Sequence, residues 1–136
     1  MGACSNPKKP TTGNLNLSAA KKLKLEELAA ARWKAETGGT EIQGIQIATD
    51  DRSQAKITGA ALQATIDPSY VCQWKTEAGF IDLNAQQITG IAVAVRAFVQ
   101  SCFDREAALN GLVAKAETSE EIAAISWTTV VPDAEA

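Results

Sequence analysis

Apolar residues recur along this chain with two different periods, and the changes of period mark out its elements. Between Ser18 and Glu36, Leu25, Leu28, Ala29, Arg32 and Trp33 fall on i, i+3 and i+4 positions, and neither Pro nor Gly interrupts. That spacing predicts a helix, which Thr37-Gly38-Gly39 would stop. Next, Ile45 and Ile47 alternate with polar neighbours beside Gly44, predicting a short hairpin or bent strand pair. The period returns to the helical one over Arg52 to Ile66. Ile57, Ala60, Ala61 and Ala64 would form the core face, with Asp50 or Asp51 as N-cap and Asp67-Pro68 as terminator. Two β-forming runs, 70–76 and 80–83, flank Glu77-Ala78-Gly79 and predict a second hairpin.

Asn84, with Gln87 three residues on, has the form of a capping box and opens the longest predicted helix, Ala85 to Ala116. Such a helix would extend about 50 Å at ~1.5 Å per residue. Written as heptads, one seam is Ile88, Val95, Cys102 and Leu109, and the other is Ile91, Phe98, Arg105 and Leu112. The first half, Ile88 to Phe98, should pack on the hairpins and the second helix. Leu109, Leu112 and Val113 should pack on the last helix or on another subunit, and they are candidate interface residues. Arg105 suits no dry interior, so the seam should meet water or a carboxylate there. Thr118 to Glu121 predicts a cap for a short helix through Ile125, followed by Trp127. The expected order is α-β-β-α-β-β-α-α, an α+β fold with antiparallel hairpins rather than a parallel sheet.

Residues 1–17 carry Pro7, Pro10, Gly2, Gly13 and three asparagines with few large apolar side chains, which predicts an extended arm. Its Lys8 and Lys9 are candidate contacts to neighbouring proteins. The expected organisation is therefore an arm over 1–17, one domain over 18–127 and a tail over 128–136. The chain has 136 residues with 46% hydrophobic, enough to build a core without a metal or disulfide. Its net charge of −3 argues against a nucleic-acid footprint. No apolar run approaches the ~20 residues of a membrane span.

The cysteines Cys4, Cys72 and Cys102 are odd in number and lack CxxC spacing, so neither a disulfide framework nor a zinc site is expected. Cys72 and Cys102 lie within apolar patterns and read as small core residues. Met1-Gly2-Ala3-Cys4 is not a lipoprotein or acylation signal, because no hydrophobic segment precedes Cys4 and Asn6 stands where a myristoylation motif has Ser or Thr.

No histidine occurs in the sequence. The commonest general base, the Ser-His and Cys-His pairs and the commonest metal ligand are therefore missing. Asp50-Asp51 and Glu120-Glu121 sit at helix starts, where negative charge is favourable by itself. No catalytic residue and no cofactor is expected. The Lys21, Lys22 and Lys24 cluster reads as a solvated helix face. Trp33, Trp74 and Trp127 read as core anchors or edge closures, with Trp127 the candidate for partner contact.

Several segments resemble an uncharacterised family of tailed-phage and prophage proteins, a domain of unknown function. They are Ala31 to Glu36, Gly44 to Gln54, Ile57-Thr58-Gly59-Ala60, Trp74-Lys75-Thr76 with Gly79-Phe80, and Val99 to Arg105. The resemblance covers about residues 28 to 127. It implies a setting near tail-fibre and fibre-assembly genes and supplies no catalytic residues. Two expectations follow. The chain is a virion component of the tail, baseplate or fibre attachment, or it is a fibre-assembly chaperone that leaves the particle. Its partners would be other tail or fibre proteins, with a homotrimer as the expected self-association.

Overall fold

The second predicted helix is present as α2, Asp51–Ile66, and its start shows how local chemistry sets a boundary. Asp50 keeps an extended backbone while its carboxylate accepts the Ser53 N–H, satisfying one of the donors that a helix start leaves free. The computed structural model describes residues 8–131, with side chains from residue 16 onward. The elements run α1 Lys8–Glu36, β1 Thr40–Ile42, β2 Ile45–Ile47, α2, β3 Val71–Thr76, β4 Gly79–Asn84, α3 Ala85–Lys115 and α4 Ser119–Ala123. The α+β order is the one that the sequence predicts.

The first helix differs in its start. It begins at Lys8 rather than Ser18, so the backbone of 8–17 is helical where the composition predicts an extended arm. Once the Ala- and Lys-rich segment has formed, each added residue fixes one backbone unit for one hydrogen bond. Pro10 falls in the first turn, where an N–H would lack a partner in any case. Residues 1–7, including Cys4, and 132–136 lie outside the described residues. Lys8 and Lys9 are in the first turn of α1, and their side chains also lie outside the described residues.

The residues group into two units, Trp33–Phe103 and a second formed by 1–32 with 104–136. In Trp33–Phe103, β1 and β2 pair antiparallel through Gln43-Gly44, and both turn residues have positive φ (54° and 79°). That is the type I′ geometry whose twist matches the strands it joins. β3 and β4 pair in the register Val71↔Asn84 to Thr76↔Gly79. The Thr76 hydroxyl ties their turn, donating to the Gly79 carbonyl at 2.7 Å. Asn84 and Gln87 then form a reciprocal box, each side chain accepting the other's N–H at 2.8 Å.

Ile47, Ile57, Ile88, Ile91 and Val95 are buried at the centre of this unit. Each large aliphatic side chain removed from water contributes roughly 1.5–3 kcal/mol before entropy is counted. Two buried polar residues complete the packing. Thr49 Oγ1 accepts the Gly39 N–H at 2.8 Å, and Gln54 donates to the Thr49 carbonyl at 2.7 Å and to Glu36 Oε2 at 3.4 Å. The network satisfies polar atoms whose burial would otherwise be costly.

The second unit has its own apolar cluster, Leu28, Leu109, Val113 and Ile125, with Leu112, Trp127 and Val131 packed against it. Arg32 Nε and Glu106 Oε1 lie 2.9 Å apart beside it. Thr118 caps α4 by accepting the Glu121 N–H at 3.0 Å.

Candidate functional site

The interface residues expected on the long helix turn inward. Leu109 and Val113 are 0% and 1% exposed, covered by Leu28 of α1 and by Ile125. Of the two environments left open for them, the structure supplies the one within the chain. Leu112 and Trp127 are partly buried on the same cluster. Arg105 is exposed, so this point of the seam does meet water. Among the described residues it donates through Nη1 to the Trp127 carbonyl at 2.9 Å and the Thr129 carbonyl at 3.5 Å, and it lies 5.6 Å from the Trp127 ring. Trp33 is more than half exposed and Trp74 lies partly buried against the larger core. Cys102 is buried and Cys72 half-buried.

A groove of about 850 Å³ lies within Trp33–Phe103, between α2 and β3. From α2 come Ser53, Lys56, Gly59, Ala60 and Gln63, positions three or four apart that share one side of a helix. From the hairpin come Cys72, Gln73, Trp74 and Lys75, with Phe80 of β4. Four consecutive β3 residues line it. A strand presents alternate residues to each face, so a groove touching consecutive residues runs along the strand's edge.

That edge is open. Among the described residues β3 is laddered only to β4, in a sheet of two strands. Outside helices and strand ladders, no backbone–backbone hydrogen bond among the described residues involves 71–76, and the Gln73 carbonyl accepts only a long contact from the Cys72 thiol at 3.8 Å. In an antiparallel pair the groups that do not point to the partner point away from it, here toward the groove.

The charge in the groove is of one sign. Lys56 and Lys75 line it, and no Asp or Glu does. Tyr70, also in the lining, titrates above its ordinary 10.0, first through a hydrogen bond with Cys72 and then through burial, so its hydroxyl stays neutral near pH 7. Gly59 sits in the interior of α2, and a Cβ built on it would meet nothing within 4 Å. Packing within the chain therefore does not require glycine there, although glycine costs a helix interior about 1 kcal/mol relative to alanine.

None of these residues was singled out as a site by sequence reasoning. The available signal was Gly59, an uncapped glycine in the middle of a helical pattern. Ala48, Ser53, Gly59, Ala60, Trp74, Lys75 and Phe80 all fall in segments that carry the resemblance described above, and all line this groove. The hairpins, helices and groove thus define a small α+β module with a groove beside one hairpin. The chain belongs to the DUF4376 family, a domain of unknown function, whose model matches residues 19–126. The match starts earlier than the resemblance, inside α1. No curated protein and no solved structure matches the chain.

Proposed function

We propose that this chain is a non-enzymatic structural protein of a bacteriophage tail, retained in the virion as a tail, baseplate or fibre-attachment component. The resemblance to tailed-phage proteins supplies the setting. One observation carries the binding role. In Trp33–Phe103, Leu62, Ile66, Val71, Phe80 and Val93 are each between 58% and 69% exposed. Phe80 lines the groove between α2 and β3 and Val93 a second one between α2 and α3, and large exposed apolar side chains at such places are the kind of surface that assembly with another protein covers. A sequence without histidine, whose acid pairs stand at helix starts, supports the non-enzymatic reading.

Mass spectrometry of purified particles, scaled to the major tail protein, tests the assignment. The expected result is a fixed stoichiometry that survives stringent purification. If the chain instead accompanies fibre protein in infected cells and is missing from finished particles, it is an assembly chaperone and the structural role fails.

A further inference from the structure

We infer that the groove between α2 and β3 takes an extended acidic peptide segment of a neighbouring protein, which pairs with β3 as an added strand. The inference rests on the reading of this face as a protein-binding surface and names what occupies it. Three independent features of the site specify the occupant.

The first is the open edge. Main-chain groups of β3 facing the groove have no backbone partner among the described residues, and an incoming strand satisfies them about 4.8 Å from β3. A helical occupant cannot present the matching row of donors and acceptors. The second is charge. Lys56 on one wall and Lys75 on the other are exposed, neither forms an ion pair among the described residues, and no carboxylate lines the space between them. An acidic segment supplies the missing sign. The third is room. Gly59 leaves the α2 wall bare opposite the strand edge, so a second backbone approaches closely where any side chain would hold it off. Alternate side chains of such a segment would point toward Trp74 and toward Phe80, which belong to opposite faces of the hairpin by their registers with Ile81 and Lys75.

The test uses the full chain, labelled with ¹⁵N, and a synthetic peptide of about ten residues in which Val and Thr alternate with Asp and Glu. The same peptide with Lys in place of its acids and a single-stranded oligothymidylate of similar length are run beside it. The acidic peptide should shift amide signals of residues 72–75 and of residues 53–63. Lys56→Glu with Lys75→Glu should weaken binding by about tenfold or more. Gly59→Ala should raise or preserve thermal stability while weakening the same binding, a combination that a merely structural role for this glycine does not give. The inference is overturned if the acidic peptide does not bind, if its shifts fall elsewhere, if the Lys peptide binds equally well, or if oligothymidylate takes the groove. Particle composition is measured separately. A chain present in virions but indifferent to the peptide removes this inference alone, whereas a chain that binds the peptide but is missing from virions removes only the structural role.

Discussion

Asp50 and Asp67 close the two ends of α2, and a serine holds each of them ionised. The Ser53 hydroxyl is the main reason that Asp50 titrates below its ordinary 3.8, and the Ser69 hydroxyl does the same for Asp67. A carboxyl whose pKa is lower in the folded than in the unfolded chain stabilises the fold above its unfolded value. That contribution is lost as pH falls through the folded value. Both acids therefore add acid sensitivity in the window beginning at about pH 3.8 and extending downward. Asparagine caps a helix about as well as aspartate but does not titrate. Urea midpoints followed from pH 7 to pH 2 should fall less for Asp50→Asn/Asp67→Asn than for the parent. Parallel curves would show that the serine contacts contribute nothing to linkage. Both caps were legible because their partners stand two or three residues away. The Arg105 contact was legible only in part. An arginine in an apolar seam signals water, but its bond to the Trp127 carbonyl spans 22 residues and leaves no local pattern.

Among the elements, α3 was the most readable. Its start is written in the Asn84–Gln87 box, and its buried residues recur every three or four positions from Ala85 to Cys102. The pattern assigned Ile88 to Phe98 to the hairpins and α2, and left open whether Leu109, Leu112 and Val113 meet the last helix or another subunit. Val95 belongs to the core of Trp33–Phe103, and Leu109 to the cluster with Leu28 and Ile125. Val95→Ala should cost roughly 1–3 kcal/mol, and Leu109→Ala roughly 2–5 kcal/mol because more methyl groups are removed and a larger cavity remains. Hydrogen exchange should assign the losses, the first to β4 and the adjoining part of α3, the second to α4 and the last turns of α3. A Leu109→Ala variant as stable as the parent, but altered in association state, would return Leu109 to an interface. The start of α1 was less readable. Gly13 and the nearby asparagines are weak helix formers, and a residue count cannot weigh them against an established helix that extends through them.

At the scale of the whole molecule, both hairpins and the helix order followed from period and turn chemistry, while the groove did not. Period-two patterning identifies the faces of a strand, because faces differ in side chains. It is silent on edges, because every residue carries the same backbone groups and only the pairing of strands decides which remain exposed. The division of the α3 seam between two sets of neighbours was legible, because a helix of that length outreaches one small core; that Leu28 of α1 joins the second cluster was not.

The bare edge of β3 also bears on solubility. A strand with unpaired main-chain groups accepts another copy of itself as readily as a cognate segment, and stacked edges are how soluble chains begin to form fibrils. Lys75 on that strand and Lys56 across from it put two like charges where a second edge would have to settle. Their repulsion is screened by salt, with a Debye length falling from about 30 Å at 0.01 M to about 3 Å at 1 M. A chain prepared without a partner should therefore be stored dilute and at low ionic strength, where its own lysines do most to keep copies apart.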